Sequence, residues 1–231
     1  MPISYPYFFD PITSNEANNF VRFRLMAMHA NKEIRAFGIR VLLSRHPEVR
    51  KLKQDNIPSH HGNKFWTSSW LLMDYFRRRG LPKRAHVMDV GCGWGLAGIY
   101  CAKRHGAVVT GVDIDTEVFP FLRLHAEING VRITTMRKSF QGLTENHLQN
   151  VDVLLGADIC FWDSMIDPLK KLIRRALRAG VDTVLIADPG RTTFDRLGEH
   201  LCEELKGEIL DWEVRRPRRI EGQILRVTNG G

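Results

Sequence analysis

Short apolar runs alternate with longer amphipathic stretches through most of the chain. Val87-Met88-Asp89-Val90 reads as a buried strand over 86–90. Glycines follow, and then the helical spacing of Leu96, Ile99, Tyr100 and Lys103 over 95–105. The alternation continues with a strand at 107–112, a helix at 116–129 stopped by Asn129-Gly130, and a strand at 131–137. A short helix or loop at 140–149 precedes a strand at 151–157, a helix at 163–179 closed by Gly180, a strand at 182–187 and a helix at 192–205. Two last strands, 207–214 and 222–228, have only an arginine-rich turn between them. Alternating βα units predict a parallel sheet with helices on both faces, and the final pair predicts an antiparallel edge hairpin.

Upstream the pattern changes. Residues 1–13 are rich in proline and aromatics and read as extended; Thr13 and Glu16 have capping-box spacing. Phe20, Phe23, Ala27, Ile34, Phe37 and Val41 recur at helical intervals, predicting one or two amphipathic helices over 14–43, with Pro47 interrupting or restarting the pattern. A polar loop at 54–63 leads into Lys64–Phe76, a tryptophan-rich helix start capped by Ser68 or Ser69. There Leu72, Tyr75 and Phe76 face inward, and Gly80-Leu81-Pro82 ends the helix. The division expected is a helical extension over 1–60 and an α/β domain over 61–231.

The turn after the first sheet strand carries the chemistry. Gly91-Cys92-Gly93-Trp94-Gly95-Leu96-Ala97-Gly98 lets a ligand lie against the main chain, and Asp113 ends the next strand, where it can hold a ribose diol. Gly93-x-Gly95-x-x-Gly98 with Asp113 also satisfies a dinucleotide fingerprint. Asp89 argues against that, because a carboxylate beside the glycines repels a diphosphate. It would attract S-adenosylmethionine, which carries an ammonium and a sulfonium. The motif resembles motif I of the class I S-adenosylmethionine-dependent methyltransferases, with Asp113 similar to their ribose-binding acid.

Ligands of such sheets lie beyond the carboxyl ends of the strands. The other tips are Ser139-Phe140, where methyltransferases bind adenine, then Ala157-Asp158-Ile159-Cys160-Phe161-Trp162-Asp163, and Asp188-Pro189-Gly190-Arg191. Asp158, at the tip of the fourth strand, is the expected catalytic carboxylate, orienting an acceptor amine and helping to desolvate it. Phe161 and Trp162 can pack on an alkyl stem or hold a methylammonium. Each has a structural alternative: Asp158 as a helix cap, Phe161 as core.

Tryptophan-serine before the first strand, Asp-x-x-aromatic after the fourth and Asp-Pro-Gly-Arg after the fifth resemble the seven-β-strand protein-lysine methyltransferases. The group most similar contains the electron transfer flavoprotein β-subunit lysine methyltransferase and its nicotinamide N-methyltransferase-like bacterial relatives. The resemblance covers residues 60–228, and Phe161 stands where such enzymes usually carry tyrosine. It implies a Rossmann-like class I methyltransferase sheet with S-adenosylmethionine held by Trp66, Asp89, Gly91, Cys92, Gly93, Gly95, Asp113, Ile114, Ser139, Phe140 and Ala157. It further implies that Asp158 faces the acceptor and that Phe161, Trp162 and Arg191 line the same rim. A nicotinamide-like small amine, an RNA, and a non-catalytic S-adenosylmethionine-fold interaction protein remain as alternatives.

Composition adds bounds. With 231 residues, 43% hydrophobic and 26% charged, the chain can bury a core. No apolar run approaches the ~20 residues that span a bilayer, and the start lacks the features of a secretory leader. Cys92, Cys101, Cys160 and Cys202 have no metal-ligand spacing, so no metal is expected. They read as reduced thiols in a cytoplasmic protein, with Cys92 as filler in the glycine turn. The net charge of +8 and the Arg215–Arg219 cluster favour an acidic protein partner over nucleic acid.

Overall fold

The computed structural model describes residues 32–59 and 62–230. Its centre is a seven-stranded sheet. In chain order the strands are β3 (His86–Val90), β4 (Val108–Asp113), β5 (Thr134–Arg137), β6 (Val153–Ala157), β7 (Thr183–Asp188), β8 (Glu208–Val214) and β9 (Ile220–Thr228). They lie side by side as β5-β4-β3-β6-β7-β9-β8. The first five are parallel, while β9 runs antiparallel to both β7 and β8, as the missing helix between the last two strands requires. This is the Rossmann-like arrangement with an antiparallel edge hairpin.

Both faces of the sheet are covered, so its strands read as continuous apolar runs. Period-two alternation divides them. Val87, Leu155, Leu185 and Ala187 pack with α2 (Ser68–Arg79) and α3 (Leu96–His105) on one side. Met88, Leu154, Val184 and Ile186 pack with α6 (Ile166–Arg178) and α7 (Thr192–Leu205) on the other. In α6 the buried stripe is Leu169, Leu172, Ile173 and Ala176, an i, i+3, i+4, i+7 spacing that puts one helical face on the sheet. Burying each such leucine or isoleucine contributes about 1.5–3 kcal/mol. Among the described residues the remaining α-helices are α1 (Pro47–Asp55), α4 (Phe119–Asn129) and the single turn α5 (Glu145–Leu148). Glycines in the left-handed region stop α3 at Gly106 and α4 at Gly130.

Two sequence expectations are corrected. Residues 33–42 form no helix: β1 (Glu33–Ala36) and β2 (Ile39–Leu42) make an antiparallel hairpin about Phe37-Gly38, both at positive φ (55° and 78°). The apolar side chains Ile34, Phe37 and Val41 have helical spacing because a two-residue turn separates two alternating runs. The rest of the predicted 14–43 helix, the extended 1–13 stretch and the Thr13/Glu16 box lie outside the described residues. The hairpin is docked on α4. Leu42 N–H donates to His125 Nε2 (3.1 Å), His125 Nδ1 meets Phe121 O (2.7 Å), and Asn129 receives Arg40 N–H on Oδ1 (2.8 Å) while donating to Arg40 O (2.8 Å). His125 therefore carries its proton on Nδ1, and burial lowers its pKa. Pro47 does restart a helix, as the first residue of α1.

The second correction concerns α2. Its N-cap is Thr67, whose side chain makes no capping bond, and Ser68 and Ser69 lie buried inside the first turn. The Ser68 N–H donates instead to Asp158 Oδ2 at 3.0 Å, so a carboxylate from ninety positions further on caps this helix.

Candidate active site

The carboxyl ends of β3, β4 and β6 open into a cavity of about 280 Å³. Its floor is the glycine turn. Gly91 (φ 62°) passes so close to Ile159 that a Cβ would lie 2.6 Å from Ile159 Cγ2, which explains glycine there. Gly95 (φ 72°) is similarly pressed on Leu122, where a Cβ would come within 2.7 Å of Cγ. Between them Trp94 is buried and stacks on Phe121 (5.2 Å) and His125 (5.2 Å), with its Nε1 donating to Gly62 O (3.0 Å). Sequence reasoning gave Trp94 no role; its buried anchor fixes the turn to α4.

Four of the turn's own N–H groups are already bonded. Gly93 N–H donates to Asp113 Oδ2 (3.0 Å), Gly98 N–H to Asp89 Oδ2 (3.1 Å), Gly95 N–H to Cys92 O (2.7 Å) and Cys92 N–H to Val112 O (3.0 Å). A diphosphate cradle needs such groups free and pointing at the ligand. Here two of them are held by Asp89 and Asp113, so the geometry argues against the dinucleotide reading. Burial pushes the Asp89 carboxyl up to about 8, opposed by the Gly98 hydrogen bond and raised further by the neighbouring Asp113 charge. Burial also raises Asp113, whose Oδ1 accepts the Asp115 N–H at 3.0 Å. Both acids line the cavity and suit a ligand carrying an ammonium and a diol. Cys92 is buried and its thiol is raised well above the ordinary value, first by burial and then by Asp89 and Asp113, which fits filler rather than nucleophile.

One flank of the cavity is apolar. Ile114 is 57% exposed at the tip of β4, and Ser139 and Phe140 face it from the tip of β5. Ser139 Oγ accepts the Gly142 N–H (3.1 Å), so the serine shapes its own turn. The flat apolar flank suits adenine, and the donor set as a whole fits S-adenosylmethionine.

The other flank is aromatic. Trp66 and Phe161 meet edge to face at 5.3 Å, Phe161 and Trp162 lie 5.9 Å apart, and Trp162 is 44% exposed at the rim. Lys64, Trp66, Ala157, Asp158, Phe161 and Trp162 all line this side. Asp158 is buried, and its backbone lies in the left-handed region (φ 58°), a costly conformation for a non-glycine residue. Its two oxygens are committed, Oδ2 to Ser68 N–H and Oδ1 to Arg191 Nη2 at 2.9 Å. Arg191 does not itself line the cavity. It lies behind the wall, paired to Asp188 Oδ2 (2.6 Å) and centred 4.4 Å above the Phe161 ring. The structure thus brings together every expected residue except Arg191, which reaches the cavity through Asp158 and Phe161. Sequence reasoning missed Lys64 and Lys138, two cations of the lining. Among the described residues no cluster of histidine, cysteine or acid could hold a metal, and no helix is long and apolar enough to cross a membrane.

Residues 87–180 match the protein family described as "Methyltransferase domain". The ubiquinone biosynthesis O-methyltransferase of Actinobacillus pleuropneumoniae serotype 5b (strain L20) is 40% identical over 90 residues, which is 36% of this chain and 38% of that protein. The chain thus spans well under half the length of this curated relative. Among solved structures, a methyltransferase from Pyrococcus furiosus superposes with a TM-score of 0.58 at 16% identity, over 93% of this chain and all of the other. The 16S rRNA N2 G1207 methyltransferase of Thermus thermophilus, solved with AdoMet and guanosine, gives 0.59 at 19% identity, over 85% of this chain and 49% of that one. At these identities the superpositions show the shared fold.

Proposed function

From the methyltransferase-domain pattern over residues 87–180 and the acid-lined cavity at the strand tips, we infer that the chain is a class I S-adenosylmethionine-dependent methyltransferase. One observation carries the cofactor: Asp89 and Asp113 occupy the glycine-turn N–H groups that a phosphate ligand would require. Asp89 then faces the cofactor's ammonium, Asp113 its ribose, and Ile114, Ser139 and Phe140 its adenine. The cofactor supplies an activated methyl carbon. What the chain must do is hold a neutral nucleophile in line with it and keep water away.

For the acceptor we propose a lysine side chain of a protein substrate. The aromatic flank supports this: Trp66 and Phe161 form an aromatic slot in the cavity wall beside Trp162, suited to an alkyl stem ending in an amine. Asp158 then acts with Arg191 to set the slot's geometry, since both its oxygens are bonded. The Arg215–Arg219 turn supports an acidic partner. Gln223 of β9 pairs with Asp188 of β7, which puts this turn beyond the same sheet edge onto which the cavity opens. The second reading is a small-molecule O-methyltransferase, favoured by the identity to the A. pleuropneumoniae relative over 36% of this chain.

The test is incubation with methyl-tritiated cofactor and cell lysate, followed by separate protease and ribonuclease digestion and organic extraction. Label that protease releases as methyl-lysine supports the lysine reading. Label that partitions wholly into the extract overturns it in favour of a small acceptor. Calorimetry with S-adenosylhomocysteine and with NADH tests the cofactor; tight NADH binding alone would overturn the entire assignment.

A further inference from the structure

We propose that Lys64 is a methylation site of the enzyme itself, modified in cis at the aromatic slot. The inference rests on the cofactor and slot of the proposed function. The Lys64 ammonium lies 4.2 Å from the centroid of the Trp66 ring, and Trp66 in turn packs on Phe161. Both Lys64 and Trp66 line the cavity that Asp89, Asp113 and Asp158 also line. An acceptor lysine would have to place its amine on these same rings.

The segment carrying Lys64 is fixed at the tip of β6. Ser68 N–H is bonded to Asp158 Oδ2, so the chain just before α2 runs directly over the strand end where the transferable methyl arrives. Lys64 is four positions from that anchor and exposed, which leaves its side chain length to reach into the slot. No carboxylate among the described residues holds its ammonium; its recorded contact is the Trp66 face. Lys138 is the contrast. It lines the cavity beside Ser139 and Phe140, on the adenine flank, where no methyl is presented.

The Lys64 ammonium loses a proton to water at the open mouth, and the neutral Nζ attacks the methyl carbon. The N–C bond forms as the S–C bond breaks, and S-adenosylhomocysteine leaves with the electron pair on sulfur. The product is a methylammonium, which the Trp66 face continues to hold.

The experiment uses the full chain with no added substrate. It is incubated with cofactor bearing a trideuterated methyl group, and its peptides are read by mass spectrometry. Label is expected on Lys64 and not on Lys138, with a first-order rate that does not change on tenfold dilution of the protein. Lys64→Arg is expected to lose it. A second readout needs no turnover: bound S-adenosylhomocysteine is expected to shield Lys64 from an amine-acetylating reagent while leaving surface lysines such as Lys51 reactive. Calorimetry with S-adenosylhomocysteine is run alongside. Binding without label or shielding at Lys64 overturns the inference and leaves the proposed function standing. A rate that rises in proportion to protein concentration overturns the cis step. Failure to bind removes both.

Discussion

Asp113, the last residue of β4, accepts the Gly93 N–H at 3.0 Å, so the acid proposed to face the ribose also ties down the glycine turn. One residue performs two tasks because its second oxygen caps the following turn through Asp115 N–H. Replacing it by alanine should therefore cost more than a lost ligand contact. Hydrogen bonds to a charged group contribute about 1.5–3 kcal/mol. Asp113→Ala is expected to weaken S-adenosylhomocysteine roughly 10- to 100-fold by calorimetry on the same scale. Amide exchange in residues 91–95 should quicken as well. Unchanged affinity would exclude Asp113 from the site.

Asp89 is expected to make cofactor affinity depend on pH. Its carboxyl is raised to about 8, chiefly by burial, so at neutral pH the empty site holds it largely protonated. A cationic ammonium favours the carboxylate, and binding near pH 7 should release a proton. Affinity is expected to rise from pH 6 to pH 9 and level off above Asp89's raised value. Proton release is read by calorimetry in buffers of different ionisation heat, and Asp89→Asn should abolish it. The sign for the free protein is opposite. Because the folded value lies above the unfolded one, Asp89's stability contribution is present at low pH and lost as pH rises through about 8.

Asp158→Ala and Asp158→Asn should part company. Alanine removes the acceptor of the Ser68 N–H and leaves Arg191 only Asp188. Breaking a buried pair this way costs about 3–5 kcal/mol, read as a fall in thermal midpoint. Asparagine keeps an oxygen for Ser68 and tolerates the left-handed backbone at φ 58°. It is expected to melt near the wild type while methyl transfer to lysate protein drops. Full transfer in Asp158→Asn would show that the charge on this residue is dispensable.

His125 holds the β1–β2 hairpin by accepting the Leu42 N–H on Nε2. His125→Ala is expected to cost about 1–3 kcal/mol, the penalty of an unpaired buried donor, with faster amide exchange at residues 39–42. Burial depresses the histidine's pKa, so the stabilisation it gives is present above the ordinary value and lost as pH falls through the depressed one. The hairpin should loosen first on acidification. Exchange that speeds up uniformly across the sheet would argue against local docking.

The sheet was legible because its central strands are short apolar runs bounded by turn signals, and β3 falls on residues 86–90 as read. The β1–β2 hairpin was not, because Phe37 hides the turn. Two residues at positive φ normally announce themselves as Asn-Gly or Gly-Gly, and a bulky aromatic in the first place carries no such signal. At the site, the acids and glycines could be read from local spacing. The bonding of Asp158 could not, since Ser68 lies 90 positions before it and Arg191 33 after it. Only the tertiary fold puts a helix end and a guanidinium on the same carboxylate.

The glycine turn is closed upon itself before any ligand arrives, since Gly93, Gly95 and Gly98 each donate to a protein oxygen. A redesign toward nicotinamide cofactors would thus fail if it merely neutralised Asp89 and Asp113. Taking away those acids liberates two amides but also unmoors the segment that must present them. Changing the donor this fold accepts requires a different loop path, and that constrains which neighbouring chemistries such a chain can reach by single substitutions.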